Sequence, residues 1–160
     1  MTLEIRPLKT NADAEACARL MSSMEPWVTL GRRYEDALSM VTDPSREVYV
    51  AEIAAGPCGF LILCMVGALV GYIQTVLVAP DQQRRGIGRR LLAHAEERIF
   101  IESPNAFLMV SSFNPDARRL YERVGYSYVG ELPDYLIVGH SELLFRKTRG
   151  PRNAVNTARG

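Results

Sequence analysis

The sequence lacks the features that mark several large classes of protein. Its 160 residues carry a formal net charge of +1, so no overall positive field favours nucleic acid or a membrane surface. Lysine is nearly absent, since all but two of the 19 basic residues are arginines. The longest apolar run, within residues 60–72, is interrupted by two glycines and is too short to span a bilayer. We therefore expect neither nucleic acid nor membrane among the partners.

Cysteine is also scarce. Cys17, Cys58 and Cys64 are scattered, form no Cys-x-x-Cys pair, and fit a reducing compartment better than a disulfide framework. Their expected role is that of small buried apolar residues. The opening "MTLEIRPLKT" lacks the positive end and apolar stretch of a signal peptide. Together these absences predict a cytoplasmic protein.

What is present alternates between strand and helix patterns. The length predicts one domain over residues 1–148, and residues 149–160 carry no pattern and are expected to be disordered. Asn11 is expected to cap the first helix. Three strand patterns with short turns, within residues 47–78, predict an antiparallel meander, and a helical crossover predicts a parallel pairing for the next strand. The predicted order is β-α-α-β-β-β-α-β-α-β-β.

The stretch "QQRRGIGRRLL", residues 82–92, joins a strand to a helix. Gly86 and Gly88 would let a ligand approach the backbone, and the first amides of a helix attract anions. The stretch is not a P-loop, because the glycine spacing and the Lys-Ser/Thr pair are missing. It is not a dinucleotide fingerprint either, because Leu91 stands where the third glycine belongs. The residues alone leave open a different phosphate site, a nucleic-acid patch or a plain turn.

Two segments together carry a resemblance to a known family. Residues 83–88, "QRRGIG", resemble the Gln/Arg-x-x-Gly-x-Gly/Ala pyrophosphate loop for coenzyme A in the GNAT superfamily of N-acetyltransferases. Residues 111–132, "SSFNPDARRLYERVGYSYVGEL", are similar to the second cofactor segment of that family. The resemblance implies an α+β GNAT fold, with a mixed, mostly antiparallel central sheet of six to seven strands and about four helices.

The resemblance also implies an activity. It points to a single N-acetyltransferase domain that uses acetyl-coenzyme A as co-substrate, needs no metal, and acetylates a primary amine. Direct attack in a ternary complex is expected, because no cysteine has a plausible base beside it. A non-catalytic acyl-coenzyme A binding module or sensor is the alternative. Members of the family are often dimers, so a homodimer is compatible with the resemblance.

Particular residues take roles from the resemblance. Backbone groups of the central strand would bind the pantetheine arm, and the glycine-rich loop would bind the pyrophosphate. Asn114 would cap a helix and lie near the cofactor, while Tyr121 would be either a core tyrosine or the general acid that protonates the leaving thiolate. Arg90 fits a solvated basic face at least as well. The predicted catalytic residue is Tyr121, and the predicted cofactor-binding residues are Val76, Leu77, Val78, Gln83, Arg84, Arg85, Gly86, Ile87, Gly88, Arg89, Asn114 and Tyr121.

A general base is missing from the two strands on which family members often carry a glutamate. These strands read "GYIQTVLV" and "NAFLMVSS", and neither contains a carboxylate. Met109 stands where ribosomal-protein alanine acetyltransferases would have theirs, which argues against that substrate. A base would then come from elsewhere or act through water. The candidates in the loop before the last strand are Asp134, Tyr135, His140 and Glu142, each of which also fits a surface or turn residue, and His140 has the most suitable unperturbed pKa.

The acceptor side is implied to lie between the first two helices and the last loop. Trp27 and Tyr34 would form walls of an acceptor pocket, and Trp27 would serve equally well as a cover for the core. Arg32 and Arg33 would attract an acidic acceptor or simply face solvent. The acceptor itself is not identified by the sequence.

Overall fold

The chain folds into one mixed sheet with helices on both faces. A computed structural model describes residues 2–153. Its elements are β1 (Glu4–Pro7), α1 (Asn11–Ser22), α2 (Tyr34–Val41), β2 (Arg46–Ile53), β3 (Gly56–Cys64), β4 (Tyr72–Val78), α3 (Ile87–Glu102), β5 (Asn105–Ser111), α4 (Pro115–Arg123), β6 (Ser127–Pro133) and β7 (Ser141–Thr148), with a short 3-10 turn at Pro80–Gln82. The strand order in the sheet is β1-β2-β3-β4-β5-β7-β6. The predicted α+β class and element order are confirmed.

The start of α1 differs from the prediction. Thr10, rather than Asn11, is the N-cap. The hydroxyl of Thr10 accepts a hydrogen bond from the Asp13 amide at 3.0 Å, and the Asp13 carboxylate accepts one from the Thr10 amide at 3.1 Å. This reciprocal capping box satisfies two backbone donors at once, which a cap at Asn11 would not achieve. The predicted apolar side of the helix is confirmed as buried: Ala14, Cys17, Ala18 and Met21.

The sheet separates two hydrophobic cores. Along β3, Phe60 and Ile62 pack with α1 and α2, whereas Leu61 and Leu63 pack with α3 and α4. This alternation is expected of a strand that is covered on both faces. The predicted apolar face of α3 is confirmed in the second core by five buried residues: Ile87, Leu91, Leu92, Ala95 and Ile99.

A bulge interrupts β4. Ile62 pairs with Thr75 and Leu63 pairs with Ile73, so the register skips Gln74. Ile73 packs in the core beneath α3, whereas Leu77 packs with α1 and α2. Two residues four positions apart would share a face in a regular strand, so the bulge reverses the alternation.

The strands β4 and β5 separate soon after they meet. Their predicted parallel pairing is confirmed, but it consists of two residue pairs, Tyr72 with Phe107 and Ile73 with Leu108. Beyond Ile73, within residues 2–153, the edge of β4 that faces β5 has no strand partner. A cleft therefore opens at the carboxyl ends of two parallel strands, where ligands commonly bind in sheets of this kind.

The chain continues beyond β7 along the side of the molecule. The amide of Arg149 donates to the carbonyl of Pro104 at 2.8 Å, and the guanidinium carbon lies 4.0 Å from the centroid of the Phe100 ring. Residues 154–160 of the predicted tail lie outside the described residues, so disorder there stays a prediction.

Candidate active site

A cavity of about 1080 Å³ occupies the cleft between β4 and β5. Its walls come from β4, the loop that follows, the first turn of α3, the inner face of α4, the segment between α1 and α2, and the loop between β6 and β7. Every predicted cofactor-binding residue except Arg85 lines it. Residues that are far apart in the sequence are thus gathered around one space.

The first turn of α3 presents backbone amides to this cavity. Gly86 is the N-cap, has a left-handed φ of 80°, and provides no side-chain cap. Arg84 is also left-handed, with φ of 62°, which is uncommon for a residue other than glycine. The first amides of a helix have no intrahelical acceptor and carry partial positive charge. With Arg84 and Arg89 beside them, these amides form a site that suits a phosphate group.

The two glycines of the loop serve different purposes. Gly86 is required by its backbone conformation, because L side chains rarely adopt that φ. Gly88 is not required by packing: a Cβ there would meet only side-chain atoms of Leu120 and Val78, both at 3.7 Å. Since Gly88 also lines the cavity, its missing side chain leaves room next to the backbone for a ligand.

Tyr121 lies both in the hydrophobic core and at the cavity. It is buried, 8% exposed, and packs in the core edge-to-face against Tyr126 with ring centroids 6.3 Å apart. It also lines the cavity. Burial raises the pKa of its phenol to about 12, so the hydroxyl keeps its proton at neutral pH.

Asn114 holds the start of α4, on which Tyr121 lies. Its side-chain oxygen accepts a hydrogen bond from the Ala117 amide at 3.3 Å, and Pro115 takes the first helical position. The predicted cap is therefore confirmed. Asn114 also lines the cavity, so capping and proximity to a ligand are compatible there.

A carboxylate does reach the cavity, but from β7. Glu142 pairs in register with Ser111, the last residue of β5. The Ser111 hydroxyl donates to Glu142 Oε1 at 2.5 Å. Glu142 is 5% exposed, and this burial raises its pKa, an effect that the hydrogen bond from Ser111 opposes.

The other candidate bases are placed differently. Tyr135 lines the cavity, whereas Asp134 and His140 do not. The Asp134 carboxylate accepts from the Gly139 amide at 2.7 Å and so closes the loop between β6 and β7. His140 packs its ring edge-to-face against Phe113, with centroids 4.9 Å apart. His140, whose unperturbed pKa suited a general base best, therefore does not line the cavity, whereas Tyr135 and Glu142 do.

Of the four predicted acceptor residues, two line the cavity and two do not. Trp27 and Arg32 line the cavity. Tyr34 packs against the core formed with α1 and α2, and the Arg33 amide donates to Asp36 at the start of α2. Arg90, which fitted a solvated basic face at least as well as a phosphate site, donates to the carbonyl of Leu3 at 3.2 Å and does not line the cavity.

Three polar residues of β4 that sequence reasoning missed also line the cavity: Tyr72, Gln74 and Thr75. Burial raises the pKa of the Tyr72 phenol well above its usual value. The hydroxyl of Thr75 is buried and has no hydrogen-bond partner within residues 2–153. These polar residues stand out in an otherwise apolar strand, which is the signal that the sequence offers. The bulge at Gln74 breaks the alternation of β4, so the sequence does not show which face of the sheet each side chain occupies.

The described residues contain neither a membrane-spanning helix nor a group of metal ligands. No helix in the described part of the chain is both long and apolar enough to cross a membrane. Nor do three or more His, Cys, Asp or Glu side chains of residues 2–153 come together in a group that would hold a metal ion.

Similarity to known proteins identifies the family. Residues 44–128 match the acetyltransferase (GNAT) domain. N-alpha-acetyltransferase RimI of Mycobacterium tuberculosis is 28% identical over 141 residues, which are 81% of this chain and 85% of the relative. A protein of Desulfovibrio desulfuricans that is assigned to the GNAT family as an acetyltransferase has the same fold, with a TM-score of 0.80, 21% identity, and coverage of 92% of this chain and 99% of the other. An aminoglycoside 6′-N-acetyltransferase complexed with coenzyme A gives a TM-score of 0.75, 16% identity, and coverage of 95% and 99%. The chain belongs to the GNAT family, a family of acetyltransferases that take their acetyl group from acetyl-coenzyme A.

Proposed function

We propose that this protein is an N-acetyltransferase that moves an acetyl group from acetyl-coenzyme A to a primary amine by direct attack in a ternary complex. One observation carries the proposal: a single cavity contains the free edge of β4, the cationic start of α3 and the buried phenol of Tyr121. These features supply, in order, a binding edge for an amide-bearing chain, a phosphate site and a proton donor.

The residues present fit coenzyme A. The edge at Val76, Leu77 and Val78 has no strand partner on the β5 side, so backbone groups there would bind the pantetheine arm. The Val78 carbonyl accepts a hydrogen bond from the Gln83 side chain at 3.1 Å, which a ligand would have to share or replace. The first amides of α3, with Arg84 and Arg89, suit the pyrophosphate. At about 1080 Å³ the cavity is at the upper end of the range for small-molecule sites, as a long substrate and an acceptor together would need.

Tyr121 would assist departure of the thiol. The amine nitrogen forms a bond to the thioester carbonyl carbon, and the carbon–sulfur bond breaks. A thiolate whose conjugate acid has a pKa of about 8.5 leaves more readily when it is protonated, and the Tyr121 hydroxyl would donate that proton. The lost phenolic proton is replaced by the one that the nitrogen releases as the amide forms.

The cysteines support transfer without an acyl-enzyme. None of Cys17, Cys58 and Cys64 lines the cavity. Burial raises the pKa of all three thiols, that of Cys17 to about 12, so none is a ready nucleophile. Trapping of an acetyl-cysteine on the productive pathway, detected by mass spectrometry, would overturn direct attack.

The first test of the proposal is an acceptor screen. We expect release of free thiol from acetyl-coenzyme A with at least one primary amine of a broad panel. Coenzyme A at 100 times its dissociation constant should also raise the free energy of unfolding by about 2.7 kcal/mol. Stabilisation without thiol release across the whole panel would instead favour the non-catalytic sensor, and absence of both would contradict coenzyme A binding.

The loop assignment predicts an effect of Gly86→Val on coenzyme A binding. A β-branched side chain at a left-handed φ of 80° should distort the first turn of α3, so we expect the dissociation constant to rise about tenfold or more. Gly67→Val is the matched control, because Gly67 is also left-handed with open space around it but does not line the cavity. In calorimetric titration with coenzyme A, equal affinities of the two variants would remove the loop from the binding site.

A further inference from the structure

The acidic residues that line the cavity are not equivalent. Glu25 and Asp116 are exposed; the first accepts a hydrogen bond from the Thr29 amide, and the second pairs with Arg119 on α4. Glu142 is the buried one, at the start of β7 beside the end of β5. The one buried carboxylate among these three therefore comes from β7, a strand outside the two segments, residues 83–88 and 111–132, that carry the family resemblance.

Glu142 has no positive charge to balance it. Within residues 2–153 its one hydrogen-bond partner is the Ser111 hydroxyl on Oε1, and no Lys, Arg or His side chain forms an ion pair with it. An ionised carboxylate that is removed from water without a partner is unfavourable by several kcal/mol. A cationic ligand in the cavity would supply the missing charge.

The surroundings of Glu142 restrict that ligand. The walls contributed by the α1–α2 segment, β5 and the β6–β7 loop are mainly apolar: Met24, Trp27, Leu30, Met109, Leu136 and, on α2, Met40. Glu25 and Arg32 are the charged residues of the α1–α2 segment that also line the cavity. Tyr72 lies within electrostatic range of Glu142, Tyr121 and Tyr135. A second ammonium group would find no second buried carboxylate among the residues that line the described cavity.

We propose that Glu142 binds the ammonium group of the acceptor and takes its proton, and that the acceptor is a monoamine with an apolar or aromatic body. This inference rests on the proposed acetyl transfer. Glu142 is then a catalytic residue, because it touches the reacting amine, and Ser111 is a positioning residue that holds the carboxylate.

The protons balance in this scheme. An acceptor ammonium carries one proton too many for attack, and Glu142 removes it to leave a free amine. That nitrogen then forms the bond to the carbonyl carbon and gives up a second proton as the carbon–sulfur bond breaks. The second proton replaces the one that Tyr121 gives to sulfur, and the first leaves from Glu142 to water.

The test is Glu142→Gln with 2-phenylethylamine as acceptor. Glutamine keeps an oxygen that can accept from Ser111 but cannot take a proton, so we expect kcat/KM to fall about a hundredfold. The decline of kcat/KM at acidic pH, which protonation of Glu142 causes in the wild type, should disappear from the residual activity. The free energy of unfolding at neutral pH should stay equal or rise, because the buried charge is gone.

Glu131→Gln is the control for this change. Glu131 is exposed on the adjoining strand β6, bonds to Ser141, and does not line the cavity. We expect unchanged kcat/KM and an unchanged pH profile. For Ser111→Ala we expect an intermediate loss of kcat/KM and a shift of the acidic limb, which a merely structural role would not produce.

The second arm compares acceptors in the wild type. We expect kcat/KM for 2-phenylethylamine to exceed that for 1,4-diaminobutane and for glutamate by about tenfold or more. A preference for either of these two, or a Glu142→Gln variant within about twofold of wild type, would overturn this inference while leaving acetyl transfer intact. Absence of transfer to every amine, with coenzyme A still bound, would instead refute the proposed function and this inference with it.

Discussion

Tyr121→Phe is expected to lower kcat about a hundredfold while the dissociation constant for coenzyme A changes by less than about twofold. The variant keeps the ring that packs in the core against Tyr126 and loses only the hydroxyl that faces the cavity. A proton donor matters for departure of the thiolate and not for binding of the thioester. Steady-state turnover and calorimetric titration of the same preparations separate the two effects.

Tyr126→Phe provides the matched control. Tyr126 is a second buried phenol next to Tyr121, has no hydrogen-bond partner for its hydroxyl within residues 2–153, and does not line the cavity. Removal of its hydroxyl should leave kcat unchanged. If Tyr121→Phe and Tyr126→Phe retained the same wild-type turnover, the general-acid role of Tyr121 would be refuted.

The pH profile gives independent information on Tyr121. Because burial raises the pKa of this phenol to about 12, the proton donor should remain protonated throughout the neutral and moderately alkaline range. We therefore expect no decline of kcat from Tyr121 at pH values at which a free tyrosine, with a pKa of about 10, would begin to ionise.

Asp13→Asn is expected to lower the free energy of unfolding at pH 7 by about 3 kcal/mol. Asp13 is buried, and its two carboxylate oxygens accept from the guanidinium of Arg6 at 2.9 and 3.0 Å. Arg6 also donates to Glu52 at 2.7 Å, so this cluster ties β1 to α1 and β2. Asparagine retains a cap oxygen for the amides of Lys9 and Thr10 but loses the charge that balances Arg6.

The pH dependence of this effect has a defined sign. The hydrogen bonds from Arg6, which outweigh the effect of burial, hold the pKa of the Asp13 carboxyl well below its usual range in the folded state. The stabilisation is then complete above the unfolded pKa of about 3.9 and is lost as the pH falls through the folded pKa. The difference between wild type and Asp13→Asn in denaturant unfolding should accordingly shrink as the pH is lowered below 4.

Glu52→Gln tests the same cluster at its more exposed side. The Glu52 side chain is 34% exposed, so its pairing with Arg6 should contribute less than about 1 kcal/mol. A loss for Glu52→Gln as large as that for Asp13→Asn would show that burial does not decide the strength of these pairs. The segment that follows α1 lines the cavity, so a shift of α1 would also alter the site. For this reason kcat should be measured for both variants at temperatures well below unfolding.

Local sequence was sufficient for the part of the cavity that the glycine-rich loop and α4 form. The Gly86-x-Gly88 loop, the Asn114-Pro115 helix start and the placement of Tyr121 on an apolar helix face each depend on residues within a few positions of one another. Helix caps, glycine conformations and helical periodicity depend on residues close together in the sequence, and so the sequence alone predicts them. The exception is the start of α1, where Thr10 and Asp13 form a better cap than Asn11.

The placement of Glu142 at the cavity depended on long-range pairing. Glu142 and His140 are two residues apart, yet only the register of β7 against β5 sets Glu142 beside Ser111, 31 positions away. A register shifted by one residue would turn every side chain of β7 to the opposite face, so pairing along the whole strand decides which of its residues reach the cavity. The bulge at Gln74 likewise depends on pairing with β3.

The sequence by itself determined that this chain has a glycine-rich loop between β4 and α3, a capped helix with a tyrosine on its apolar face, and the order of its strands and helices. Only the tertiary structure decided that β4 and β5 part after two residue pairs, and that the carboxylate absent from both strands arrives from β7. The physical reason is the range of the interactions. Helix caps and glycine turns are satisfied within a few residues, whereas strand register and burial of a charge are settled by the whole sheet at once.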